Sequence, residues 1–290
     1  MTWFNLCRIA PEGYRHAAAL DEIAETVRHG LEALGHTVVE LRNGVGARGV
    51  SIALGAHLLA EEGARSLAPG TVVYNLEQID AVSRPPGAAF LTALGRCVVW
   101  DYSERNIDRI RALTGNSRLV HVPVGYVPQL TRIPAHARPD IDVLFYGALN
   151  ERRRRVLDAL RDAGLETRAV FGVYGAERDE LIARAKVVLN LHYHQQAPVF
   201  EIVRVSYLLA NRKPVVAECE DASEVEADLR DAMRLAPYHG LVDACRELVG
   251  DERLRAHYAD TGFRRMSARK ADELLRPAVA AAVGALPASP

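Results

Sequence analysis

Val143-Leu-Phe-Tyr-Gly147-Ala-Leu-Asn150-Glu-Arg-Arg-Arg-Arg155 is the stretch that decides the fold. An apolar run suited to a buried strand breaks at Gly147, Asn150 stands where an N-cap belongs, and a helical pattern follows. Strand, glycine turn and helix N-terminus in that order make half of a βαβ unit. The free amides and positive dipole end of such a helix attract an anion. Arginine beside it adds bidentate bonding to phosphate. A helix cannot aim four consecutive side chains one way. The run is thus either a solvated basic face or a phosphate site made by one or two of its members, with Arg152 and Arg153 favoured by their place in the first turn.

The same rhythm continues on both sides. Downstream, the pattern predicts helices over 151–163, 176–185 and 199–210, strands over 167–171, 187–191 and 214–217, and helices from 241 to 284. Upstream, strand character falls at 4–9, 37–41, 50–54, 71–75, 97–100 and 119–122. The first long helix is predicted for 17–34. There Leu20, Ile23, Ala24, Val27, Leu31 and Leu34 recur at spacings of three and four, and Gly35 follows as its stop. Between the two series, residues 123–140 hold four prolines and no periodicity, which marks a linker or boundary. An α/β chain of two Rossmann-like domains with parallel sheets is expected. The domains are 1–125 and 141–268, with a linker at 126–140 and a C-terminal helix at 269–290.

Ligands of open α/β sheets bind outside the carboxyl ends of the strands, so the loops there carry the candidate chemistry. In Asn190-Leu-His-Tyr-His194-Gln-Gln-Ala-Pro198-Val-Phe-Glu201-Ile202-Val-Arg204, Pro198 is read as opening a helix. Glu201 and Arg204 then share a face. The carboxylate can accept from both hydroxyls of a ribose, or it can cap the helix and pair locally. His192 and Tyr193 belong to the same loop; His192 and His194 are read as facing different ways, so no metal site is expected. Phe171-Gly172-Val-Tyr174-Gly175 either stacks a nucleobase or holds only a tight turn. In the first half, Gly13, Tyr14, His16, Glu77 and Asp101 lie on the corresponding loops. Glu77 reads either as a general base or as a hydrogen-bonded strand terminus; His16 is either catalytic or a helix cap. Gly44-Val-Gly46-Ala-Arg-Gly49 spells the dinucleotide fingerprint, but it opens onto a β-like run rather than a helix and is read as a loop.

Bulk properties narrow the class. A net charge of −1 supplies no field for nucleic acid or an anionic membrane. The only lysines are Lys186, Lys213 and Lys270, so phosphate recognition would fall to arginine. Cys7, Cys97, Cys219 and Cys245 show no metal or disulfide spacing. No run reaches the ~20 apolar residues of a membrane span, and a cytoplasmic location is expected.

Taken together, these residues resemble the GT-B glycosyltransferases, the group 1 families above all. Gly13 to Leu34-Gly35-His36-Thr-Val38 is similar to their glycine loop, long helix and "GHxV". Val122-Pro-Val-Gly125 is similar to the turn that ends the acceptor domain. Leu144-Phe-Tyr-Gly147 is similar to the strand and glycine that open the donor domain. Arg153 matches the basic residue that contacts the diphosphate in those families, Arg212-Lys213-Pro214-Val-Val-Ala217 their "GxPVVA", and Glu247 to Arg255 their late helix pair. The chain departs at Tyr207, where a second glutamate is usual, and at Ala148, where an arginine is usual. Phe200-Glu201-Ile202-Val-Arg204 is closer to the divergent CgeB-like branch.

The resemblance implies two domains facing across a cleft and a C-terminal helix crossing back to the first. It implies hexosyl transfer from a nucleoside diphosphate sugar, with retention and without cofactor or metal. Gly147, Asn150, Arg152, Arg153, Phe171, Gly172, Tyr174, His192, Tyr193, Glu201, Ile202 and Arg204 would then serve the donor. Gly13, Tyr14, His16, Glu77 and Asp101 would serve the acceptor side, with Glu77, His16 and Arg204 as catalytic candidates. A glycan, lipid, peptide, small molecule or modified nucleobase fits equally as acceptor. The alternative is a non-catalytic GT-B-like module that binds a nucleotide or a partner; an epimerase reading lacks the expected acid pair.

Overall fold

The computed structural model describes residues 1–79, 85–194 and 199–284. Two compact units emerge: residues 1–127 together with the chain from Lys270 onward, and residues 128–269.

In unit 1, β1 (Trp3–Arg8), α1 (Asp21–Ala33), β2 (Thr37–Arg42), β3 (Val50–Leu54), α2 (Glu61–Ser66), β4 (Val72–Asn75), α3 (Ala88–Arg96), β5 (Val98–Asp101), α4 (Glu104–Thr114) and β6 (Leu119–His121) alternate. Their strands form one parallel sheet in the order β2-β1-β3-β4-β5-β6. The chain winds from β1 to one side and then crosses to β3 on the other, so the topological switch point lies outside the carboxyl ends of β1 and β3. The apolar stripe expected of the first helix holds: Ile23, Ala24, Val27 and Leu31 are buried. α1 begins later than predicted, because residues 15–20 form a 3-10 turn first.

Unit 2 contains β7 (Ile141–Tyr146), α5 (Glu151–Asp162), β8 (Thr167–Val170), α6 (Gly175–Arg184), β9 (Ala185–Asn190), α7 (Ile202–Ala210), β10 (Val215–Glu218), β11 (Arg234–Ala236), α8 (Leu241–Gly250) and α9 (Glu252–Ser267). The parallel order β11-β10-β9-β7-β8 puts its switch point between β7 and β9. Val143, Phe145, Val187, Leu189 and Val216 pack against Val156, Leu157 and Leu160 of α5 and Leu241 and Leu248 of α8. That single apolar layer fixes where the α5 N-terminus meets the sheet.

The proline-rich segment is partly docked within unit 2. Asn211 Oδ1 accepts from the amides of Arg132 and Ile133, and its Nδ2 donates to Leu130 O. The Tyr207 hydroxyl takes Arg132 Nε at 3.0 Å and donates to Asp179 Oδ2 at 2.8 Å. Tyr207, standing where a second glutamate is usual, is thus a strap for residues 130–133.

The final helix, α10 (Ala271–Gly284), belongs to unit 1 and lies along α1. Ala271 N donates to Tyr126 O at 3.0 Å, and a Cβ on Gly30 would stand 2.7 Å from Leu275 Cδ1. The two helices touch at their small residues. Helices α2, α3 and α4 and strand β11 add to the elements that the sequence pattern predicts. Of these, α4 carries readable signals: Ser103 caps it and Gly115 ends it at φ +69. No described helix is long and apolar enough to cross a membrane.

Candidate functional site

At the switch point of unit 2, Asn150 does two jobs. Its Oδ1 caps α5 by accepting Arg153 N at 2.9 Å, and its Nδ2 donates to Tyr193 O at 2.6 Å. The cap predicted from sequence also ties the β9 loop to the start of α5. Gly147 sits between, at φ +156; a Cβ there would be 3.5 Å from both Arg153 Nη1 and Arg204 Nη2. Glycine lets two guanidinium groups lie against the end of β7.

The two arginines differ in kind. Arg153 is 2% exposed. It donates to Ala148 O at 2.8 Å, to His192 O at 3.3 Å, to Leu191 O, and to Glu201 Oε1 at 3.3 Å. Burial pulls its guanidinium down to about 10, opposed by the Glu201 charge. Its donors already join the ends of β7 and β9. Arg153, expected at the phosphate, is engaged within the protein, where three carbonyls and Glu201 take four of its five N–H donors. Arg152 is engaged too: it forms a two-pronged pair with Glu218, donates to His192 O at 3.1 Å and lies 4.0 Å over the Tyr238 ring.

Arg204 is the more accessible cation, its side chain 23% exposed. Nη1 donates to Asn190 Oδ1 at 3.0 Å and to Glu201 Oε2. Glu201 therefore links both arginines, one through each carboxylate oxygen. It makes no capping bond to α7, which begins at Ile202, so the local ion pair is present and the cap is not. Each oxygen keeps a second lone pair for a ribose hydroxyl. Asn190 Nδ2, also buried here, has no hydrogen-bond partner among the described residues.

The remaining donor candidates scatter. Phe171 is exposed, with Gly172 at φ +71 and Tyr174 at the start of α6, on the β8 side of the site. Tyr193 is exposed too, its ring 5.1 Å from the Arg153 guanidinium carbon. His192 and Ile202 are buried, contrary to a ligand-facing role. The His192 ring points inward, Nε2 3.6 Å from Glu224 Oε2, while its backbone amide binds Glu218. Pro198, read as the helix opener, lies outside the described residues. No three His, Cys, Asp or Glu side chains among the described residues come together to hold a metal.

In unit 1, Gly13 takes φ +74, Tyr14 is exposed, and the Tyr14 and His16 rings meet edge to face at 5.4 Å. The loop they share is held by Asn43, which both donates to and accepts from the Ala10 backbone. Asp101 is fully buried, against its expected place facing an acceptor. Its oxygens accept from Asn75 at 2.6 Å, Ser103 N at 2.8 Å and Asn106 at 3.1 Å. Burial pushes its carboxyl up to about 7, and these three bonds pull the other way. Asp101 organises the loop that carries Glu77. The dinucleotide-like run 44–49 forms a loop without a helix, its Gly46 lying against Asn5.

No known family profile matches the chain. An uncharacterised protein of Acanthamoeba polyphaga mimivirus is 27% identical over 168 residues, 54% of this chain and 53% of that protein. A second mimivirus protein is 28% identical over 150 residues, 50% of this chain and 19% of its own length. The matched part thus spans about half, or less, of these relatives. Among solved structures, Anabaena HepE in complex with UDP and glucose superposes with a TM-score of 0.63 at 14% identity, over 99% of this chain and 100% of that one. WaaG, a glycosyltransferase of lipopolysaccharide biosynthesis, gives 0.61 at 12% identity, over 97% and 100%. At such identities the likeness carries the architecture, and that architecture is GT-B: two Rossmann-like units, each built on a parallel sheet.

Proposed function

We propose that the protein is a glycosyltransferase that moves a hexosyl group from a nucleoside diphosphate sugar to an acceptor hydroxyl, with the donor held by unit 2. The observation that carries this reading is Arg204. It is a partly exposed guanidinium, mounted by Glu201 and Asn190 beside Gly147 at the switch point of the second sheet. A fixed cation there would stabilise charge as it grows on the departing diphosphate. The α5 N-terminus adds a dipole of the right sign, and Glu201 keeps lone pairs for the ribose. HepE and WaaG share the fold, and HepE holds UDP in its crystal. Unit 1 would take the acceptor. The chemistry is proposed to proceed without a metal or cofactor.

One observation favours the non-catalytic reading: Arg152 and Arg153 are both engaged within the protein. Calorimetry with UDP, GDP, ADP and dTDP, followed by release of these diphosphates from their sugar conjugates, separates the cases. Binding with turnover supports the transferase, and binding without turnover supports the module. Failure of all four to bind at millimolar concentration would refute both.

A further inference from the structure

A second set of polar groups gathers in unit 1, at the carboxyl ends of β3 and β4. His57 lies in the 3-10 turn Ala56–Leu58 that follows β3. Gly55 opens that turn at φ +81, and a Cβ there would stand 2.9 Å from Ile9 O. The position requires glycine, and the tight turn lifts His57 beside the switch point. Glu77 follows β4, its Oε1 3.5 Å from His57 Nε2.

The Glu77 backbone is fixed from beneath. Its amide donates to Asn75 Oδ1 at 3.0 Å, and its carbonyl accepts from Asn75 and Asn106, each at 2.9 Å. Both amides also bind the buried Asp101. Phe90 meets the imidazole edge to face at 6.0 Å, and Leu20, Gly55, Asn75 and Phe90 share a hollow with it. The His57 side chain is 26% exposed, and its Nδ1 has no hydrogen-bond partner among the described residues. A buried network thus fixes the Glu77 backbone, and the carboxylate, 47% exposed, stands 3.5 Å from one nitrogen of an imidazole whose other nitrogen is open. This is the arrangement of a base with its orienting group.

We infer that His57 is the base that takes the acceptor's hydroxyl proton, and that Glu77 is a positioning residue that orients its ring. The inference rests on the glycosyl-transfer reading. As the acceptor oxygen bonds to the sugar C1, the bond from C1 to the diphosphate oxygen breaks. Its electron pair leaves on the diphosphate, and the hydroxyl proton ends on Nδ1. Imidazole is the commonest side chain for this work near neutral pH. A base at the acceptor fits a single displacement, so the transferred sugar emerges as the opposite anomer, where the family resemblance implies retention.

The test uses the whole chain with UDP-, GDP-, ADP- and dTDP-linked hexoses and water as acceptor. Released diphosphate gives the rate, NMR gives the first-formed anomer, and calorimetry gives diphosphate affinity. In His57→Ala and His57→Gln the hydrolysis kcat should fall on the order of 100-fold or more with affinity unchanged. Glu77→Gln should lose less, on the order of 10-fold in kcat with diphosphate affinity unchanged, a split that a merely structural role would not give. A wild-type rate in folded His57→Ala, or a retained anomer, would overturn this inference and leave glycosyl transfer standing. A wild type that neither binds nor hydrolyses any of the four donors would overturn both.

Discussion

Replacing Arg153 by Ala separates a mounting role from a ligand role, and the structure gives the size of each. The wild-type guanidinium is buried, joins three main-chain carbonyls at the ends of β7 and β9, and balances one oxygen of Glu201. Its removal leaves those carbonyls short of donors and a mostly buried carboxylate with Arg204 alone. Breaking a buried pair from one side costs about 3–5 kcal/mol. Each charged hydrogen bond is worth roughly 1.5–3 kcal/mol, although water entering near Tyr193 recovers part of it. Arg153→Ala should therefore lower unfolding free energy by about 3–5 kcal/mol. Arg204→Ala removes a more accessible cation with two partners and should cost about 1 kcal/mol of stability. For diphosphate the order reverses. Arg204→Ala should weaken UDP binding by about 1.5–3 kcal/mol and leave uridine binding nearly unchanged, because only UDP carries the phosphates. Urea melts beside calorimetry with UDP and uridine read both quantities. A folded, fully stable Arg153→Ala protein that has lost UDP affinity selectively would refute the assignment.

Three further outcomes follow from other parts of the molecule. Gly30→Val should cost about 1–3 kcal/mol by overpacking and expose α10 to limited proteolysis, since its Cβ would stand 3.1 Å from Ala271 Cβ and 2.7 Å from Leu275 Cδ1; unchanged protease resistance would count against the observed packing. Tyr207→Phe should lose about 1–2 kcal/mol through its bonds to Arg132 and Asp179 with UDP affinity intact, and a selective loss of UDP affinity would instead place this position in the donor site. Asp101 has a folded value of about 7 against an ordinary 3.8, so the native state holds the extra proton and stability falls as pH rises from about 4 to 7. The fall is at most about 4 kcal/mol, and thermal melts across that range should flatten in Asp101→Asn.

Local order was legible in the sequence. The bounds 50–54 match β3 to the residue, and Asn150 caps α5 as its position implied. Periodicity, caps and glycine stops depend on neighbours within one turn or one pleat, which any window of the chain contains. The pairing of Glu201 with Arg204 was legible for the same reason, being three residues apart across the start of α7. What those signals could not contain was burial and partner choice. Arg153 looked like its three neighbours in the basic run, yet the packing of α5 on β7 and β9 turned it inward onto carbonyls 38 and 39 residues away. His57 carried no motif at all. It meets Glu77 because β3 and β4 are parallel neighbours whose carboxyl ends coincide. Whether a charged side chain reaches solvent or is consumed by the protein depends on which strand ends the sheet order brings together, and sheet order is a property of long-range packing that no local stretch of sequence encodes.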